Sequence, residues 1–142
     1  MARLFVRRRD RRIEVRLNDD ARAIAREAFG HVYAAEHDPD HEWHHTLNSP
    51  IDPSKDVDDP MSVLARQTQT GSNAELAIAT LHEEFLNDAE AWAWLTTLQV
   101  SLRATAAAHG LFDAEKLAAA DPELVAYINT IQLFLASLAD VI

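Results

Sequence analysis

The stretch that most constrains this chain is Asn87–Gly110, NDAEAWAWLTTLQVSLRATAAAHG. It has the start, the buried stripe and the stop of one long α-helix. Asn87 is placed to accept from the first-turn amides, and Glu90 three residues on can reach back to the Asn87 N–H, a capping box. Apolar or small residues then recur at Ala91, Leu95, Leu98, Leu102, Thr105 and Ala106, with Trp92 and Trp94 widening the stripe. His109 lies in the last turn, and Gly110 follows the last periodic residue, where a left-handed C′ position favours glycine. A helix of this length draws most of its stability from packing its apolar face, so the rest of the chain must supply the cover.

The chain has 142 residues, of which 48% are hydrophobic. That is one domain, 1–142, able to bury roughly two-thirds of its unfolded surface. It contains no cysteine, which excludes disulfides, thiol catalysis and thiol redox switching. No apolar run approaches the ~18 residues of a membrane span, and arginines stand where a signal peptide has its apolar segment. The expectation is a cytoplasmic protein with no membrane association. The net charge of −10 hides a split: residues 1–26 carry nine arginines against four acids, and residues 27–142 carry four basic residues against nineteen acidic ones. Such asymmetry points to charged partners.

Residues 3–17, RLFVRRRDRRIEVRL, predict a β-hairpin. Ile13, Val15 and Leu17 alternate with Arg12, Glu14 and Arg16, Leu4–Val6 form the opposite run, and Arg8–Arg11 supply the turn. A lone hairpin is marginal in water, so its apolar face must lie on helices. Asn18 caps a helix with Asp19 and Asp20 in its first turn and a stripe of Ala21, Ile24, Ala25, Ala28, Phe29 and Val32, fading near Glu36. Residues 37–60 hold four of the five prolines and read as a long Pro/Asp/His-rich loop. A short helix is expected at Met61–Gln67, broken at Thr70–Gly71. A second capping box, Ser72 with Glu75, then starts a helix through Leu86 with Leu76, Ile78, Leu81 and Phe85 in the core. Asp113 caps a helical piece, Ala114–Ala120, and Asp121-Pro122 opens the last helix. Its apolar positions Leu124, Ile128, Ile131, Leu135, Leu138 and Ile142 are spaced 4-3-4-3-4, an a/d seam. Paired antiparallel with Asn87–Gly110, it makes 87–142 the core helical pair. The fold class is mainly α: an N-terminal β-hairpin packed on a four- to six-helix bundle.

This order of elements carries a resemblance. An Arg-rich hairpin ending in VRL, a helix, an Asp-Pro-rich segment, a capped helix, AWLTTLQVSLRATAAAHGL and a closing YINTIQLFLASL together resemble an actinobacterial family of small proteins of unknown function, often encoded beside the adaptor of the Clp protease. The similarity covers nearly the whole chain, and Trp92/Trp94 through Arg103 is its most telling part. The resemblance implies a mostly helical regulatory or accessory protein without established catalytic residues. A redox-sensing transcriptional role proposed within the family depends on cysteines. This chain has none, so that role does not carry over.

Three groups of residues could carry chemistry. His41-Glu42-Trp43-His44-His45 satisfies H-E-x-x-H, and on a helix His41 and His45 would share a face and bind zinc with Glu42 as general base; His37 and His44 add nitrogens nearby. The context opposes a zinc hydrolase: Pro39 and Pro50 bracket at most a few turns, and no third-ligand extension follows. The bland reading is a solvated His-rich loop, and neither a metal nor a cofactor is assigned. The second group is Arg3, Arg7, Arg8, Arg9, Arg11, Arg12 and Arg16. A basic ribbon can grip phosphates, but the acidic remainder of the chain repels nucleic acid at long range. Protein contact, with a partner or a second copy, is therefore preferred to a DNA-associated regulator. The third group is Trp92 and Trp94, which are two apart and cannot both face one core. Trp94 joins Arg7, Arg8, Arg9, Arg11 and Arg12 as the partner-binding set, against the alternative of a helix packed on two sides. His82 and His109 read as capping or solvated residues, and Arg103 as one whose stem packs beside the apolar stripe with its head in water. With three glycines in the chain, no phosphate-cradling loop is available. The sequence thus reads as a non-enzymatic accessory or regulatory protein acting by protein contact, as a homodimer through apolar surface left on the long helices.

Overall fold

A computed structural model of the protein describes residues 3–37, 60–110 and 114–142. In chain order the elements are β1 (Phe5–Arg7), β2 (Ile13–Val15), α1 (Asp19–His37), α2 (Pro60–Ala79), β3 (Phe85–Leu86), α3 (Asp88–Ala108), α4 (Ala114–Ala118) and α5 (Pro122–Ala139). The molecule is mainly helical with a small antiparallel sheet. Among the described residues four of the helices are long and α4 has five residues.

The hairpin forms at the expected place, with Phe5 opposite Val15 and Arg7 opposite Ile13. It is not a lone hairpin, however. β3 pairs antiparallel on the other side of β2, with Ile13 opposite Leu86, and gives the order β1-β2-β3. The segment expected to continue a helix through Leu86 instead leaves α2 at Ala79 and extends. Leu86 is fully buried there and Phe85 half-buried. Sheet pairing and burial of Leu86 against Ile13 outweigh the weak helical preference of a short segment.

A second correction concerns α2. Helix 60–79 runs unbroken through Thr70 and Gly71, so Ser72 and Glu75 lie inside it rather than at a start. Gly71 is buried, and a Cβ there would sit 3.4 Å from His37 Cε1 at the end of α1. Val32 and Ala35 of α1, Ala74 of α2 and Ala104 of α3 meet in one buried cluster next to it. Small side chains let the three helices approach closely, and that contact outweighs the roughly 1 kcal/mol that glycine costs a helix interior.

The capping predictions at Asn87, Asn18, Asp121 and Gly110 hold, unlike that at Ser72. Asn87 Oδ1 accepts from the Glu90 N–H and Glu90 Oε1 from the Asn87 N–H, each at 2.8 Å. Asn18 Oδ1 accepts from Ala21 N–H and Asp121 Oδ1 from Glu123 N–H, both at 2.8 Å. Gly110 takes φ +66° after the last turn of α3. Asp113 lies outside the described residues.

The main core lies between the sheet and the helices, with Phe5, Ile13, Phe29, Trp94, Leu98 and Ile131 among its buried members. Trp94 is its centre: Phe5 and Phe29 meet the indole edge-on at 6.1 and 5.1 Å. Its Nε1–H donates to Thr80 Oγ1 at 2.8 Å, and the Thr80 hydroxyl in turn donates to Leu76 O just past the end of α2. Arg22 is the second internal tie. Its guanidinium, half-buried, donates to the carbonyls of Leu17, Leu81, Glu83 and Val15, fastening the start of α1 to the α2–β3 turn and the sheet.

α5 packs on α3. Arg7 reaches both Asp88 at the start of α3 and the Val141 carbonyl after α5, so the two helices run antiparallel. Of the predicted seam, Ile131 and Leu138 are fully buried, Leu124, Ile128 and Leu135 half-buried, and Ile142 exposed. Phe134, outside the seam, is buried too. α5 is also an exception to the expectation that no apolar stretch approaches membrane-span length. Over its 18 residues the mean hydropathy is 1.2, which suffices by length and composition, and 17% of the stretch is buried.

Candidate functional site

The β1–β2 turn is built by its own polar groups. Arg8 N–H donates to Arg12 O at 2.9 Å and Arg11 N–H to Arg8 O at 3.0 Å. Asp10 Oδ1 accepts from the Arg12 N–H at 3.0 Å and Oδ2 from Arg12 Nε at 2.8 Å. These contacts, the backbone one foremost and the guanidinium second, hold the Asp10 carboxyl below the ordinary carboxylate range. Arg11 sits at φ +72°, the left-handed region that most L-residues avoid. A glycine or asparagine is the usual occupant of such a turn position.

The predicted arginines gather at this edge but differ in their surroundings. Arg7 Nη1 lies 2.8 Å from Asp88 Oδ1, and its Nε donates to Val141 O at 2.9 Å. Glu14 lies between two of them, 3.3 Å from Arg8 Nη1 and 3.0 Å from Arg16 Nε. Arg12, besides its pair with Asp10, lays its guanidinium over the Phe85 ring at 4.2 Å. Arg3, Arg9 and Arg11 are exposed and have no carboxylate within ion-pair distance among the described residues. Arg7, Arg8, Arg9 and Asp10 line an open hollow of about 430 Å³. Exposed pairs of this kind contribute at most about 1 kcal/mol each. Their effect is to set the geometry and to intersperse negative charge among the positive.

Trp94 does not share this surface. It is 1% exposed and hydrogen-bonded in the core, whereas Trp92, 56% exposed, is the indole that faces solvent. The two-residue spacing separated them as expected; which one faced inward was decided by the position of Phe5 and Phe29. His37 is exposed, donates through Nδ1–H to the Tyr33 carbonyl at 2.8 Å and stacks on the Tyr33 ring at 4.2 Å. His41, Glu42, His44 and His45 lie outside the described residues. Among the described residues no three His, Asp or Glu side chains are arranged to hold a metal ion. His109 follows α3 as its C-cap, and Arg103 is half-buried.

Sequence reading overlooked Arg22, Glu14 and Asp88 as members of this region. Glu14 was legible, since Arg12, Glu14 and Arg16 fall on one face of a strand at period two. Asp88 and Arg22 act across 81 and 59 residues respectively and carry no local signal. No protein family, no curated protein and no solved structure matches the chain.

Proposed function

We propose that this is a non-enzymatic accessory or regulatory protein of the cytoplasm, as its resemblance to the Clp-adaptor-linked family implies, and that it acts by protein contact through the arginine edge. The observation that carries this reading is the mixed charge of the edge. Asp10, Glu14 and Asp88 already hold Arg12, Arg8, Arg16 and Arg7, leaving Arg3, Arg9 and Arg11 to meet a partner. A phosphate backbone would be repelled by those carboxylates, whereas an acidic protein surface with its own basic residues complements the pattern. Arg11 strengthens the case. A non-glycine residue at positive φ costs of order 1–2 kcal/mol, and strained residues of this kind cluster at functional positions.

The reading includes a homodimer through the outward face of α5. Ala126, Asn129, Leu133 and Ala136 are spaced 3-4-3 and are all exposed, a second seam opposite the core-facing one. Between Glu123 and Asp140 the helix bears no charge, so a second copy can meet this face without the repulsion that a chain at −10 would meet elsewhere.

The test is a pull-down from native lysate with and without nuclease, comparing wild type with a variant carrying Arg3→Glu, Arg9→Glu and Arg11→Glu. Arg7 and Arg12 are left intact because they brace the fold. A protein partner that survives nuclease and is lost in the variant supports the proposal. Recovery of nucleic acid alone, with binding that falls steeply as salt rises, replaces it with a DNA-associated regulator. For the dimer, sedimentation of Leu133→Glu should show a shift to monomer; an unchanged mass removes α5 as the interface.

A further inference from the structure

Arg7 is the hub of the arginine edge, and it gathers more than arginines. Its Nη1 donates to the Arg11 carbonyl and to Asp88 Oδ1, and its Nε donates to the Val141 carbonyl. One guanidinium therefore holds the β1–β2 turn against the first turn of α3 and against the chain after α5. Trp92 follows Asp88 by four residues on α3, so the two share a face one helical turn apart. Both are exposed. Trp92 thus stands one turn of helix from the point where the hairpin turn, with Arg9 and Arg11, meets α3.

At 56% exposure Trp92 is the most exposed of the large hydrophobic side chains described. Single apolar side chains on a surface are ordinary, but this one leaves all of its capacity unused. Among the described residues no aromatic ring and no guanidinium lies on the Trp92 indole, and its Nε1–H has no acceptor. Elsewhere the molecule fills both roles: Trp94 has two ring partners and donates to Thr80, and Phe85 lies under Arg12. Arg11 is open in the same way. At φ +72° it is bonded through its backbone, its N–H to Arg8 O and its carbonyl to Arg7, while its guanidinium has no carboxylate within ion-pair distance among the described residues. Tryptophan and arginine are the residue types that most often carry the energy of a protein contact.

We propose that Trp92, together with Arg9 and Arg11, docks an acidic segment of a partner protein that carries an aromatic side chain among its carboxylates. This rests on the reading of the arginine edge as a protein-contact surface and specifies what that surface accepts. The two guanidinium groups and the indole N–H are donors only, so they call for acceptors, which glutamate and aspartate carboxylates supply. The exposed indole calls for a flat apolar cover, which an aromatic ring supplies stacked or edge-on. Asp88, the nearest carboxylate on the same face, is already held by Arg7 at 2.8 Å, so its charge is offset where the segment arrives. The contact role that the sequence suggested for Trp94 passes to Trp92.

The experiment is a proton–nitrogen NMR titration of the full chain at low ionic strength, where exposed charges are least screened. The probes are the capped peptides Glu-Glu-Phe-Glu-Glu, Glu-Glu-Ser-Glu-Glu, Ser-Ser-Phe-Ser-Ser and Lys-Lys-Phe-Lys-Lys. The chain has three tryptophans, and the Trp92 indole N–H signal is the one that vanishes in Trp92→Phe. Glu-Glu-Phe-Glu-Glu should move that signal, leave the buried Trp94 indole signal in place, and bind roughly fivefold or more tighter than each other peptide. Trp92→Ala should lower its affinity to that of Glu-Glu-Ser-Glu-Glu, and Arg9→Glu/Arg11→Glu to that of Ser-Ser-Phe-Ser-Ser or below. Equal binding of the two glutamate peptides with the Trp92 signal unmoved would overturn the proposal and leave the arginine edge as a contact surface. Equal binding of the three phenylalanine peptides would overturn both readings. Binding of none of the four would overturn the proposal, and the lysate pull-down then judges the edge alone. All the substituted residues are exposed, and the ranking of peptides on wild type decides the matter even if a variant folds poorly.

Discussion

At the sheet end of α3 a buried indole donates to Thr80, whose hydroxyl is anchored on a carbonyl of α2, and a half-buried guanidinium satisfies four carbonyls around it. Further along α3 the buried hydroxyls of Thr97, Ser101 and Thr105 have no well-formed hydrogen bond among the described residues, and neither has the Tyr127 hydroxyl of α5. One helix therefore carries a closed polar network at one end and an open one at the other. The closed end is the scaffold: it joins the sheet, α1, α2 and α3, and it sets the arginine edge through β1 and β2. The open end is where hydroxyls are buried without such pairing among the described residues. A buried polar group adds rigidity when satisfied and costs stability when it is not, and function is the usual reason for tolerating the second state.

This contrast can be broken at four points. The largest effect belongs to Trp94→Ala, which empties the space between Phe5 and Phe29 and orphans the Thr80 oxygen. It should cost about 3–5 kcal/mol by urea denaturation. A loss below about 1 kcal/mol would mean that this end is not the scaffold. Next is Arg22→Ala, which strips four carbonyls of a charged donor and should cost about 2 kcal/mol, with faster amide exchange in β3 than in α5. If exchange rises equally in both, the tie is not local to the sheet.

Thr97→Val has the opposite sign. Thr97 is buried with no hydrogen-bond partner for its hydroxyl among the described residues, so replacing that hydroxyl with a methyl should raise stability by about 1 kcal/mol. A destabilised variant would show that the hydroxyl stripe serves the fold. The smallest effect is with pH. The folded-state pKa of Tyr127 is raised, so the contribution of its neutral form is present below the unfolded value of about 10 and is lost as pH rises beyond it. Tyr127→Phe should therefore lose less stability than wild type above about pH 10. Parallel curves for the two proteins would show that the phenol is not desolvated at the open end.

Much of the scaffold was legible because its signals are local. Asn87 with Glu90, Asn18, Asp121-Pro122 and Gly110 each act within one turn of backbone, and the alternation at Ile13, Val15 and Leu17 acts within one strand. The candidate edge was legible as composition, seven arginines around one turn, and Glu14 was readable from its period. The open end was not legible. Thr97, Ser101 and Thr105 sit where a helical stripe reads as core, and nothing in their spacing says whether a hydroxyl will bond back to its own helix or stay free. Tyr127 comes from a different helix, α5.

What the sequence determined by itself was the set of helical segments with strong caps, the hairpin and the charge split, because each follows from residues within a few positions of one another. Only the tertiary structure decided that residues 85–86 pair as a strand, that α2 continues through Gly71, that Trp94 rather than Trp92 turns inward, and that α5 leaves an uncharged face outside. In each of these the local preferences differ by about 1 kcal/mol or less. Contacts between distant segments contribute more than that, so the packing, and not the local code, chose the outcome.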